Sequence, residues 1–325
     1  MLMPHHHLQA VSRSAALSLI AGGVLATARP GAAQTTAPVV KIGAQAIDAA
    51  GEAYYGTDTG IFSANGITPL VTTLTNGATI INAVLSGDID VGEANPMAVA
   101  GAIANGIPLI MLAPAVLYSK RDANADLVVA KDAPFKQPKD LIGATFGVAS
   151  LGDFNQISLF AWLDINGIPR ASVKFVELPF SQVGVALQRG LVQASFISEP
   201  LKSDAVRAGL IRDFGDTYLA VAPEIAVVVW FTTKSWLQKN PDTAKKLVSG
   251  IFATAKWANT HTAESAPILA KASKMDPAVV AGMKRLYFAT SNERRFVEPI
   301  LEVGAKYGGL PRPVPFEEYS AYAAS

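Results

Sequence analysis

Asn76–Gly106 reads NGATIINAVLSGDIDVGEANPMAVAGAIANG, and its punctuation decides the fold class. A helix-forming run at Thr79–Leu85 stops at Gly87. A short β-forming run, Ile89–Gly92, follows at once. Pro96 then opens a second helix, Pro96–Ala104, at the position where its missing N–H goes unused. Gly106 ends that helix and leads to an apolar strand, Leu109–Leu117. Helix, strand, helix and strand joined by two-to-four-residue turns predict βαβ units and a parallel sheet.

The rhythm extends in both directions. Upstream, Val39–Gln45 reads as a strand, Glu52–Asn65 as a helix closed by Asn65-Gly66, and Ile67–Leu74 as a strand. Downstream, Leu127–Ala130 and Ala144–Ala149 are strands, Asp153–Ile165 is a helix, Val173–Leu178 a strand, Ser181–Gln188 a helix and Ala194–Ser198 a strand. Gly190, Pro200, Gly209 and Leu210 repeat the spacing of Gly87, Pro96, Gly106 and Ile107, with nineteen residues between the glycines in each case. Two lobes of similar build are implied, each presenting strand ends and helix N-termini to a common cleft. After the strand Ile225–Thr232, the stretches Pro241–Thr260, Pro277–Phe288 and Glu293–Tyr307 read as consecutive helices with no strands between them.

Composition narrows the function. The 325 residues are 50% hydrophobic and 16% charged, which suits two packed domains. Beyond Thr35 the chain carries 25 basic and 26 acidic residues, so neither nucleic acid nor an anionic membrane is expected as a partner. Cysteine is absent, which excludes disulfides, thiolate metal sites and a cysteine nucleophile. His261 is the one histidine outside the first 34 residues and reads as a polar helix position. No cofactor is expected. Arg13, the apolar run Ala15–Ala28 and Gly31-Ala32-Ala33 read as a secretory signal over residues 1–33, cleaved before Gln34. The mature chain is expected to be periplasmic, soluble and monomeric.

Asn76–Gly106 resembles the helix, small-Gly-x-hydrophobic-Asp, small, Pro, helix, Gly pattern of nitrate/sulfonate/taurine-type solute-binding proteins, a group that includes thiamine-pyrimidine binders. Leu127–Gly147 (LVVAKDAPFKQPKDLIGATFG), Gln182–Pro200 and the tail Tyr307–Tyr322 (YGGLPRPVPFEEYSAY) resemble the same family, so the likeness runs from about residue 39 to 322. It implies an α/β, type II periplasmic-binding-protein fold, with two α/β lobes, a ligand cleft and two crossing segments. The crossings are expected near Val116–Asn124 and Gly215–Pro223. Lobe I would then comprise residues 34–121 and 221–325, and lobe II residues 122–220. The implied role is the substrate-binding component of an ABC importer, whose partners are a small-molecule ligand and the membrane permease. The ligand would be sulfonate- or taurine-like, or a nitrogenous compound.

In such a cleft the contacts come from loops between strands and helices. Lobe I offers Gln45, Tyr54, Asn76, Glu93 and Asn95, with Tyr118 near a crossing. Lobe II offers Leu151, Gly152, Asp153, Phe154, Asn155 and Glu199. Asn95 before Pro96, and Asp153, are equally good helix caps. Glu199 is a poor one, which favours ligand contact. Helix N-termini attract anions, yet these loops carry several carboxylates, and Lys120 and Arg121 are the nearby cations. A zwitterionic, neutral or nitrogen-bearing ligand fits that balance better than free nitrate. The alternative is an enzyme of the same fold related to thiamine-pyrimidine synthesis. Such enzymes depend on a cysteine-rich segment and an active-site histidine, and this chain has neither a Cys nor a His in the corresponding half; no GxSxG, P-loop or HExxH motif is present. A binding protein and not an enzyme is therefore expected.

Overall fold

The computed structural model describes residues 37–121, 125–199 and 201–322. The signal read at 1–33, the end of the first crossing at Asn124 and the helix-opening Pro200 lie outside the described residues. The first part of the chain forms β1 (Val39–Ala44), α1 (Gly51–Asp58), α2 (Ile61–Ala64), β2 (Thr68–Thr73), α3 (Gly77–Ser86), β3 (Val91–Ala94), α4 (Pro96–Ala104) and β4 (Leu109–Ser119). The middle forms β5 (Ala125–Ala130), β6 (Thr145–Val148), α5 (Phe154–Ile165), β7 (Lys174–Glu177), α6 (Val183–Gln188), β8 (Ala194–Ser198), α7 (Leu201–Arg207) and β9 (Ile211–Gly215). The last part forms β10 (Glu224–Thr233), α8 (Lys234–Lys239), α9 (Pro241–Ala258), α10 (Thr262–Ser273), α11 (Pro277–Gly282), β11 (Tyr287–Phe288), α12 (Glu298–Lys306) and α13 (Phe316–Tyr319).

Local chemistry explains why the elements around Asn76–Gly106 start and stop where they do. The Asn76 side chain accepts from Thr79 N at 2.9 Å and caps α3, and Gly87 closes that helix at φ +83°. Asn95 accepts from Met97 N at 2.9 Å to cap α4, with Pro96 at the first helical position. Elsewhere the expectations need correction. The helix expected over Glu52–Asn65 breaks at Gly60, whose φ of +73° no helix accommodates. The helix expected over Pro277–Phe288 ends at Gly282, and Tyr287–Phe288 forms a strand against β4 where none was expected. A long-range contact causes this: Asp48 accepts from Leu286 N and pairs with Arg285, drawing the chain out of helix and onto the sheet edge.

Two sheets result. The first has the order β11-β4-β10-β3-β1-β2 and the second β7-β6-β8-β5-β9. Both are mixed and not parallel as expected. β1 pairs in parallel with β2 and β3, and β6 with β7 and β8. β10 runs antiparallel to β3 and β4, and β5 runs antiparallel to β8 and β9. The antiparallel strands are those that carry the chain between the sheets. β4 leaves the first sheet and β10 returns to it alongside, so one must oppose the other.

Helices cover both faces of the first sheet. Val40, Ile42, Trp230, Leu247 and Ile251 pack on one side, and Ile80, Met97, Val229, Phe231 and Ile300 on the other. In the second sheet, Leu127 and Val129 of β5 face Phe146, Leu159 and Trp162, whereas Val128 faces Val183, Leu187 and Ile197. This is the period-two alternation of a strand buried on both faces. At Gly92 on β3 the packing leaves no room: a Cβ would lie 2.3 Å from Ile80 Cγ2 and 3.0 Å from Phe231 Cζ. Gly92→Ala is expected to lower stability by roughly 1–3 kcal/mol. Urea unfolding would show this as a lower midpoint with an unchanged slope; an unchanged midpoint would mean that α3 retreats freely.

Candidate functional site

A cavity of about 570 Å³ lies where the two sheets face each other. Its polar lining comes from residues just past the C-terminal ends of strands: Gln45 after β1, Asn95 after β3, Gly152 to Asn155 after β6, and Ser198 at the end of β8. Strand C-termini are where open α/β sheets bind ligands.

The first wall centres on Glu93. It sits on β3 opposite Trp230 of β10, lines the cavity and is only 1% exposed. Neither of its carboxylate oxygens has a hydrogen-bond partner among the described residues. Glu52 of α1, also fully buried, accepts from Trp230 Nε1 at 2.8 Å through Oε2, and its Oε1 has no partner. Burial pushes both carboxyls well above the ordinary carboxylate range. The charge of Glu93 raises Glu52 further, while the Trp230 hydrogen bond opposes the rise. A buried carboxylate with both oxygens unpartnered is rare, because the loss of water is uncompensated.

The second wall is the start of α5. Gly152, at φ +80°, turns the chain so that Asp153 can cap the helix, accepting from Gln156 N at 3.0 Å and Asn155 Nδ2 at 3.0 Å. Burial also raises the Asp153 carboxyl. Asn155 Oδ1 accepts from the Tyr218 hydroxyl at 2.6 Å. Tyr218, in the return crossing between β9 and β10, stacks on Phe154 at 5.0 Å and lies 5.1 Å from Phe196. With Phe180 these rings form an aromatic wall of the cavity.

Of the residues expected from sequence, Gln45, Glu93, Asn95, Gly152, Asp153, Phe154 and Asn155 are brought together here. Tyr54 is not: its hydroxyl meets Thr73 Oγ1 at 2.9 Å, and it lines a separate groove with Ile268 and Lys271. Asn76 is engaged as the α3 cap and is not among the cavity lining. Tyr118 lies behind Tyr218, edge-on at 4.9 Å, and donates to Asp216 at 2.8 Å. Leu151 is 53% exposed and outside the lining. Glu199 lines an adjoining chamber. Contrary to the expectation that it caps poorly, its carboxylate accepts from Ser203 N at 3.1 Å and Ser203 Oγ at 2.8 Å.

Phe180, Phe196 and Tyr218 are cavity residues that sequence reasoning missed. Aromatic residues beside apolar ones read as core, and Phe196 and Tyr218 are indeed buried. Lys120 and Arg121 are not in the lining either; the Arg121 guanidinium covers the Tyr287 ring at 4.3 Å. The charged side chains lining this cavity among the described residues are thus two carboxylates, Glu93 and Asp153. His261 lies apart, stacked on Trp257 with its Nδ1 2.8 Å from Trp257 O.

Comparison with known proteins places the chain in a family. A taurine-binding periplasmic protein of Escherichia coli is 29% identical over 171 residues, which spans 52% of this chain and 51% of that protein. The alignment therefore covers about half of the relative's length. The periplasmic aliphatic sulphonate-binding protein SsuA of Escherichia coli superposes with a TM-score of 0.72 at 18% identity, covering 88% of this chain and 93% of its own. The alkanesulfonate-binding protein SsuA of Xanthomonas axonopodis pv. citri, bound to MOPS, gives 0.68 at 16% identity, covering 88% and 98%. At such identities the structural likeness establishes the periplasmic-binding-protein fold. The NMT1-like family itself matches over residues 33–273, a span that holds every strand but β11 and all the polar residues of the cavity, so the chain belongs to the NMT1-like family.

Proposed function

We propose that this protein is the periplasmic, substrate-binding component of an ABC importer. It captures a small organic solute between its lobes and passes it unchanged to a membrane permease. The lobe boundaries we assign are residues 34–121 with 221–325, and 122–220. Export would proceed through the signal at 1–33, and the protein would act as a monomer. Among the described residues no helix is long and apolar enough to cross a membrane.

One observation carries the reading: Glu93 is buried in the wall of a cavity between two sheets and its carboxylate has no hydrogen-bond partner among the described residues. A solute bearing an N–H or ammonium group would satisfy it. The sulfonates and taurine named for the relatives include compounds of both kinds, with and without nitrogen. Glu93 favours those with nitrogen, because among the described residues no Lys or Arg lines this cavity to meet an isolated anion, and Lys284 stands only in the adjoining chamber. An anionic group on the same solute would find the N-termini of α4 and α5 nearby. Against the thiamine-pyrimidine enzyme reading stands the lack of any cysteine in the chain and of any histidine in the cavity lining.

A thermal screen of taurine, alkanesulfonates, nitrate, pyrimidines and simple amines tests this. A ligand at about 100 times its Kd stabilises the folded state by ~2.7 kcal/mol. For a chain of this size the unfolding temperature then rises by roughly 5–10 °C. The nitrogen-bearing compounds are expected to give the shift, and long incubation should return them intact. A chemically altered product, or silence across the whole panel, would sink the proposal.

A further inference from the structure

Beside the cavity described above lies a second chamber of about 420 Å³. The two share Gln45, Ile47, Phe180, Tyr218 and Val227 in their walls, so they adjoin. Their chemistry differs. The first holds Glu93, Asp153, Asn155 and Asn95. The second is walled by Leu269 of α10, Met275 of the turn between α10 and α11, Met283 and Leu286 of the segment between α11 and β11, and Leu201 of α7.

The acidic groups that reach the second chamber are already engaged. Asp48 accepts from Arg285, Tyr55 and Leu286, and Glu199 from Ser203. Lys284, also in the lining, is an exposed residue. Apolar side chains from both lobes remain open there: Ile47 is 43% and Leu201 36% exposed. A two-carbon solute held at Glu93 would leave this apolar wall facing water. A cavity of several hundred Å³, mostly apolar with a few convergent polar groups, suits a larger organic ligand.

Resting on the solute-binding reading above, we propose that the cleft takes an organic cation with an extended apolar group. The ammonium or protonated heterocyclic nitrogen meets Glu93 beside the aromatic wall of Phe180, Phe196 and Tyr218. The apolar part lies in the chamber of Leu269, Met275, Met283 and Leu286. Aromatic faces attract organic cations, and methionines adapt to apolar groups of varied shape.

Calorimetric titration with benzylamine, 2-phenylethylamine and 4-phenylbutylamine tests this, with taurine and 4-phenylbutanesulfonate as comparisons. The Kd is expected to fall about fourfold for each added methylene, and 4-phenylbutylamine should bind at least tenfold more tightly than either comparison compound. In the double variant Met275→Ser, Met283→Ser, the chain-length dependence should flatten while benzylamine affinity stays the same; both methionines are only half-buried. The wild-type series decides the matter even if that variant unfolds. Tight taurine binding with no gain from chain length overturns this inference and leaves the solute-binding reading standing. Binding of none of these compounds overturns both.

Discussion

Arg285→Met is expected to destabilise the protein by about 3–5 kcal/mol, the largest loss anticipated for any single substitution considered. The Arg285 side chain is 11% exposed, that of Asp48 4%, and their nitrogen and oxygen lie 2.8 Å apart. Removing the cation leaves a buried carboxylate with only Leu286 N and the Tyr55 hydroxyl to hold it. The neighbourhood allows little relaxation. Tyr55 is fully buried and lies edge-on to Phe288 at 6.0 Å, and a Cβ added at Gly51 would fall 2.4 Å from the Tyr55 ring. Denaturant unfolding should show the loss, with the unfolding temperature falling by roughly 10 °C. The double variant Asp48→Asn, Arg285→Met should recover part of it, since no buried charge then stands alone. Because Asp48 belongs to the turn between β1 and α1 that lines the second chamber, ligand affinity should fall as well. A loss below about 1 kcal/mol would show that the pair is not holding that turn to the β11 segment.

The second large effect is expected at Glu93, and it has opposite signs for the empty and the occupied protein. In the empty protein both Glu93 and Glu52 have carboxyls raised above their ordinary value of 4.5. Each therefore keeps a proton in the folded chain at a pH where the unfolded chain has released it. The contribution of these two groups to stability is then fully present below the ordinary carboxylate range and is lost as pH rises through their folded-state values. The slope is about 1.4 kcal/mol per pH unit for each such group. Glu93→Gln should remove its share of that slope and make the empty protein more stable at neutral pH. For a cationic ligand the same substitution should weaken binding by roughly 10- to 100-fold, the usual worth of a hydrogen bond to a charged group. Ligand binding to the wild type should release a proton, so affinity should rise with pH where the variant's does not. A variant with the wild-type pH profile for both stability and affinity would remove Glu93 from the account.

What the sequence made legible was local. The helix Pro96–Ala104 and the strand Ala194–Ser198 lie where the turn residues put them, because Asn-Pro and the flanking glycines act on the backbone within a few residues. Glu93, Asn95 and Asp153 to Asn155 were legible as cavity residues for a related reason: each follows or ends a β run, and strand ends in this architecture converge. The contacts that complete the site are not local. Trp230 reaches Glu52 across 178 positions and Arg285 reaches Asp48 across 237, and no short-range pattern announces either. The strand at Tyr287–Phe288 depends on the second of these contacts, which is why the run from Pro277 reads as one helix. Tyr54 and Tyr55 show the same limit. Adjacent on one helix, they divide so that Tyr55 enters the Asp48–Arg285 cluster while Tyr54 lies outside the cavity. The mixed sheets follow from the crossings, whose direction is set by topology and not by composition.

The central claim is that the cleft selects solutes through a nitrogen donor presented to Glu93. Its most direct test is calorimetric titration with pairs matched in size and differing in the ammonium group: taurine against ethanesulfonate, and 2-phenylethylamine against 2-phenylethanol. Each pair would be measured on the wild type and on Glu93→Gln. The expected result is at least tenfold tighter binding of the ammonium-bearing member by the wild type, with that preference gone in Glu93→Gln. Equal affinities within each pair, or a preference that survives the substitution, would contradict it.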